Sequence, residues 1–511
     1  MNKTRPTIIR GGRLAGAGAR ADLADILIQG DSIAEVGPPG LNAPADAAVV
    51  DAANQLMHPG LINAHTHGHG NLAKGMGDRW TLELLLAAGP WITGGRTLEE
   101  KYLTTYVGAI EMLLKGCTAC YDLTVEFPLP SPEGLDACGR AYADAGMRAV
   151  LAPMVAEFSF YQAIPGLLDA MPPELQKEVE RLRLAPGEAT LTAMRQSMQA
   201  WAFDREQVRP AVAPTIPHHC SDDFMRQCAA LAREFDVGLH THVQESKAQV
   251  MVGLKRYGKT PTAHLQDLGL LGPDFTVGHG VWLDHDDMQR LGDHGSSVAH
   301  NPGSNMRLGN GLADVRGMLA RKVNVGIGTD GANCSDNLNM YESMRLASMV
   351  SKCQGPDTDQ WLTTGEVLSA ATEGSARALG FSDRLGRIAP GYKADIVFLD
   401  LTNVNWMPFN NVTNQLVHTE DGAAVHAVMV GGRMVVENRQ VVGVDMAALA
   451  RRVEDARARL ESVAVPNKQL FESVEQIVNT FCPGLAKMPY HIDRFGGGHH
   501  GHTHAAYVAR S

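Results

Sequence analysis

Between residues 61 and 329 the sequence alternates short, buried-type strand patterns with amphipathic helical ones, and this alternation restricts the fold more than any other feature. Strand-like runs fall at 61–65, 119–123, 149–154, 209–214, 237–242, 275–279, 297–300 and 323–329, eight in all. Helix-period segments stand between them at 99–114, 189–201, 222–235 and 284–291. Strand followed by helix, repeated, builds a parallel sheet with helical crossovers. Eight repeats over this length favour a closed (β/α)8 TIM barrel over an open sheet, an α/β fold. The segments 338–352 and 364–379 are predicted to be closing helices, the second with a tight contact surface at Ala370 and Ala371.

The two chain ends have a different texture. Glycine-punctuated β-runs at 7–9, 25–28 and 32–36 return late in the chain at 394–399, 427–430 and 433–436, the last two joined by a Gly431-Gly432 hairpin turn. This predicts one composite β-sandwich domain from residues 1–57 and 385–445, with a catalytic barrel of residues 58–384 inserted in it. Residues 446–511 would be a helical extension and a His-rich tail. The helix carrying Arg451, Arg452, Glu454, Asp455 and Arg457 reads as a solvated packing element, and His499, His500, His502 and His504 as a flexible solvated tail.

Composition narrows the function. Apolar residues make up 44% and charged residues 20% of the chain, an ordinary globular balance. With 45 Lys+Arg against 56 Asp+Glu, the net charge of −11 gives no basis for wrapping nucleic acid or an anionic bilayer. A small-molecule substrate remains. The longest apolar run, 82–91, is broken by Glu83, Gly89 and Pro90 and is too short to span a membrane. Eight scattered cysteines and a start without an apolar stretch predict a cytoplasmic protein. Cys117-Thr118-Ala119-Cys120 lacks a second half and reads as packing, and Lys74 lacks the spacing of a phosphate loop.

The chemistry is expected among the twenty histidines. His65-Thr66-His67 ends the first barrel strand, and residues two apart on a strand face the same side, so both imidazoles can share one cation. The fifth strand repeats this with His240-Thr241-His242 and adds Glu245 three residues on. His279, His300 and Asp330 stand at the ends of strands six, seven and eight. Five strand ends thus present His or Asp at the face where barrel enzymes build active sites. A divalent metal with imidazole and carboxylate ligands and an open position lowers the pKa of water to about 7. Breaking a C–N bond also requires a proton for the leaving nitrogen, and Glu245 is placed to shuttle it. The end of strand four, Ala213 to His219, contains no lysine, so a carbamylated-lysine bridge is unsupported and a single metal is preferred.

These residues carry a resemblance. Residues 59–67, 242–245, 278–284, His300-Asn301-Pro302-Gly303-Ser304-Asn305 with Leu308 and Gly311, 328–332 and 385–395 resemble the amidohydrolase superfamily, in its branch of aromatic-heterocycle deaminases and s-triazine hydrolases. The resemblance implies that His65, His67, His242 and Asp330 hold one zinc ion, or alternatively iron. It makes Glu245 the acid/base, has His279 bind water or substrate, and lets Asp330 take a proton from water. His240 rivals His242 as third ligand because it shares its strand face, although the spacing to Glu245 favours His242. His300 and Asn305 are expected to shape the substrate end, and Trp80 and Trp91 to line it, while the loop 68–80 matches the family only loosely.

The expected activity is hydrolytic deamination of a purine, pyrimidine or s-triazine by a homodimer or higher homo-oligomer. Dechlorination or N-dealkylation of a triazine, or amide or cyclic-amide hydrolysis, would use the same site. A catalytically silent metal-binding scaffold is the alternative from another class.

Overall fold

The computed structural model describes residues 5–16 and 18–496; the four tail histidines from His499 onward lie outside the described residues. The barrel strands are Leu61–Thr66, Cys117–Thr124, Arg148–Val155, a fourth in two pieces (Val208–Pro210 and Ala213–Pro214), Leu239–Val243, Phe275–His279, Ser297–His300 and Asn324–Ile327. Their ladders are parallel throughout. Nearly every residue on them is buried, as expected of a parallel sheet covered on both faces.

The strands form two groups of four. The bridge Val212–Leu239 joins the groups on one side. On the other, the Asp330 N–H donates to the His65 carbonyl at 2.9 Å, and Asn63 binds Thr329 through both its amide nitrogen and its carbonyl oxygen. The fourth strand is shorter and more broken than its apolar pattern predicts because Pro210 and Pro214 have no N–H for the ladder.

Nine strands from the two chain ends make one continuous mixed sheet, joined where Gln55–Pro59 runs antiparallel to Ile396–Asp400. Ile9, Ile26, Ile28, Ile396, Phe398 and Met429 form its core. At the hairpin between Val425–Val430 and Arg433–Glu437, Gly431 and Gly432 have φ of 55° and 74°, the paired positive values such a tight turn demands. The buried Arg148–Asp395 ion pair, at 2.9 Å, fastens this sheet to the barrel.

The second closing helix differs from expectation. Thr364–Ser369 and Ser375–Ala378 are α-helical, but Ala370–Gly374 forms a π-turn between them. The tightest approach is not at the alanines but at Gly374, where a Cβ would lie 2.0 Å from the Val325 carbonyl oxygen.

Beyond the sheet come the helices Met446–Val463 and Val465–Ala486. The first buries only Leu449 and Ala456, as a solvated packing element should. The second buries Phe471, Val474, Val478 and Cys482 against the helix Leu82–Thr93, which follows the first barrel strand. Among the described residues, no helix is long and apolar enough to cross a membrane.

Candidate metal centre

Six side chains converge at the C-terminal ends of the barrel strands, all at least nine-tenths buried: His65, His67, His242, Glu245, His279 and Asp330. The ring of each histidine is aimed by a contact on its far nitrogen. His67 Nδ1 donates to the Leu123 carbonyl at 2.7 Å, and His242 Nδ1 to the Thr215 carbonyl at 2.7 Å. His279 Nδ1 meets Asn305 Oδ1 at 2.8 Å, and His65 Nδ1 faces His240 Nε2 at 3.1 Å. Each therefore turns Nε2 inward. His67 and His242 Nε2 are 3.3 Å apart, and Asp330 Oδ1 lies 3.1 Å from His67 Nε2 and 3.7 Å from His65 Nε2.

The arrangement fits a divalent cation. The donor atoms of His65, His67 and His242 lie within 4.8 Å of one another, as do those of His65, His279 and Asp330. Buried Nε2 atoms of His65 and His279 have no hydrogen-bond partner, and burying a polar atom unpaired is costly. Imidazoles fixed from behind by carbonyls are the usual support of metal ligands. His240, the rival ligand, lies behind His65, with Tyr121 edge-on at 4.6 Å.

Backbone geometry supports the convergence. His279 and Asp330 both have positive φ, 69° and 62°. For residues with a Cβ this is strained, and it persists only where surroundings impose it.

The two carboxylates are driven apart. Burial alone would raise Asp330, but the His67 hydrogen bond and the adjacent imidazoles hold it well below the usual carboxylate range. Burial, with the nearby Asp330 and Glu83 carboxylates, pushes Glu245 well above it, opposed only by the Asn310 amide donating to Oε1 at 3.0 Å. One acid stays ionised while the other can carry a proton, the division of labour that acid/base chemistry needs. Burial first, then the neighbouring imidazoles, takes His242 down to about 3, so it is neutral and able to ligate.

A cavity of about 650 Å³ opens over His67, His242, Glu245, His279 and Asp330. Trp80 and Trp91 are not among its lining residues. They face each other at 6.0 Å and pack on Phe471 of the C-terminal helix, both at 5.5 Å, because these rings fill the seam between two helices. His300 and Asn305 are likewise outside the lining. Asn305 acts on the centre through His279, and His300 is fully buried beside a small apolar void with Leu319, Ile327 and Val367.

Residues without a role in the sequence reading also reach the site. His69 and His219 line the cavity, each with one buried ring nitrogen unpartnered. His69 directly follows the first ligand pair and His219 ends strand four, so position after a strand was an available signal for both. Asn310 has none: it meets Glu245 from 65 residues away.

The comparisons with known proteins agree with this geometry. Residues 56–435 match the amidohydrolase family. A 5-methylthioadenosine/S-adenosylhomocysteine deaminase of Thermococcus onnurineus is 33% identical over 421 residues, covering 82% of this chain and 91% of its own. A 5'-deoxyadenosine deaminase of Methanothermobacter thermautotrophicus is 31% identical over 437 residues, 85% of this chain and 94% of its own. Among solved structures, an adenosine deaminase from Xanthomonas campestris with bound zinc superposes with a TM-score of 0.79 at 26% identity, covering 89% of this chain and 98% of that one. Atrazine chlorohydrolase from Arthrobacter aurescens, also with zinc, gives 0.78 at 26%, covering 88% and 100%. With its barrel, its ringed histidines and most of its length matched, this chain belongs to the amidohydrolase family.

Proposed function

We propose that the protein is a metal-dependent aminohydrolase that removes the exocyclic amino group of an aromatic N-heterocycle. The observation that carries this is the opposed pair Asp330 and Glu245, one carboxyl held ionised and one held protonatable, beside imidazoles with inward, unpartnered nitrogens. His65, His67, His242 and Asp330 would hold one divalent ion, zinc by analogy with the solved relatives and iron as the alternative. When bound, such an ion supplies a Lewis acid that makes water a nucleophile at neutral pH.

The remaining work falls to the chain's own groups. Glu245 delivers a proton to the ring nitrogen beside the amino-bearing carbon, easing attack there, and later a proton to the departing amine. Asn310 fixes its carboxyl by donating to Oε1. His279, aimed by Asn305, sits 3.7 Å from both Glu245 and Asp330 and orients the attacked centre. Deaminase names among the relatives favour ammonia as the leaving group over chloride or an alkylamine. Seven of the eight free cysteines are buried, which supports a reducing, cytoplasmic setting.

The test is a panel of aminopurines, aminopyrimidines and aminotriazines assayed for ammonia release, with bound metal quantified in the same samples. Release from one ring class, dependent on metal, is expected. Amide hydrolysis without ammonia release from any ring would overturn the reading.

A further inference from the structure

The cavity has a polar floor and an apolar wall. The wall is supplied by Leu85, Leu86 and Pro90 from the Leu82–Thr93 helix, Phe127 and Leu129 after the second strand, and Phe160 after the third. At about 650 Å³ the space lies within the 300–1,000 Å³ range that houses drug-sized ligands, more than a bare heterocycle fills.

The polar groups above the floor are already engaged or solvated. Among the described residues that line the cavity, the carboxylates are Glu126, Glu245 and Asp330. The last two belong to the floor. Glu126 binds Lys101 through Oε1 and accepts from the Ser131 N–H and hydroxyl, at 2.9 Å each. Asn467, at the rim, donates to the Pro90 carbonyl at 2.9 Å. Arg181 and Arg183 are exposed and can donate but not accept. A sugar held here would set its hydroxyl pair against leucine, proline and phenylalanine, losing water without gaining partners.

We propose that the substrate is an amino-heterocycle bearing a bulky apolar substituent, alkyl or aryl, rather than a nucleoside. This rests on the aminohydrolase reading of the same floor and departs from the nucleosides named for the curated relatives. The ring lies on the floor, where His69 and His219 offer unpartnered imidazole nitrogens, and the substituent extends along the wall.

The experiment compares matched sets on three rings (adenine, cytosine and diaminotriazine): unsubstituted, N-methyl, N-butyl, N-benzyl and, for the first two, the ribonucleoside with 5'-deoxyadenosine. The metal-loaded full chain is used. On the ring that reacts, kcat/KM should rise roughly 4-fold per methylene buried, the equivalent of about 0.8 kcal/mol, with the nucleoside no better than the bare ring. A nucleoside equal to or better than the butyl compound overturns the proposal and leaves the aminohydrolase reading intact. Ammonia from none of the rings sinks that reading instead. The substituent preference is then decided by calorimetric affinity of the same compounds, with the same order supporting it and the reverse order overturning it. Phe127 is 48% exposed, so Phe127→Ser should fold, and it should lower the butyl-to-bare ratio several-fold. An unchanged ratio counts against the wall.

Discussion

The floor of the cavity is built from strand ends and its wall from the segments that follow them, and the two are held in different ways. His65, His67, His242 and His279 sit on or next to hydrogen-bonded ladders, and each ring is fixed from behind by a carbonyl, an amide or another imidazole. Leu85, Leu86 and Pro90 instead ride on a helix whose outer side is braced by Phe471, Val474 and Val478, from the far end of the chain. Geometry in the floor is set by covalent spacing along a few strands. Geometry in the wall depends on a docking contact between parts of the sequence nearly four hundred residues apart, and a barrel can vary it without disturbing the chemistry.

The comparison is broken most severely at the ligands. His67→Ala and His242→Ala should each lose metal and activity together, because a donor to the cation is gone; metal content and ammonia release in the same preparation check this. Glu245→Gln should keep metal and fold yet lose on the order of 10²-fold or more in kcat, the scale of general acid/base work. A substrate with a better leaving group, needing less protonation, should suffer less from it.

The wall responds differently. Phe471 is buried beneath both tryptophans, so Phe471→Ala should cost about 3–5 kcal/mol in denaturant unfolding. Its metal content should stay normal and its KM rise, since the wall loosens and the floor does not. Trp91→Leu, at a half-buried ring, should cost about 1–3 kcal/mol with little change in KM. A large KM effect without loss of stability would put Trp91 in the pocket after all.

The smallest effect is a gradual one with pH, at a site remote from the floor. His58 is wholly buried, donates from Nδ1 to the Pro59 carbonyl and accepts at Nε2 from the Tyr341 hydroxyl at 2.7 Å. Burial lowers it to about 4, against 6.5 unfolded. Between these values the unfolded chain binds more protons, so this contribution is full above pH 6.5 and drains away as the pH falls toward 4. His58→Asn should flatten that part of the profile of denaturant midpoint against pH.

Much of the floor was legible in the sequence because strand geometry converts spacing into direction. Two histidines two residues apart must face one way, and Asp330 must follow the eighth strand. The barrel was legible for the same reason, through repetition of one pattern. Three things were not. Pro210 and Pro214 split a strand whose apolar pattern looked continuous. Asn310 reaches Glu245 only through tertiary folding. Trp80 and Trp91 resembled pocket residues because they follow the first strand, and their partner Phe471 stands in a segment that read as mere packing.

The central claim is that the floor is one mononuclear catalytic centre. Chelator-stripped protein should be titrated with zinc, and separately with ferrous iron, while ammonia release from the best substrate is followed. Activity rising linearly and levelling at one equivalent per chain is the predicted result. Activity that continues to rise to two equivalents, both retained on dialysis, would contradict it.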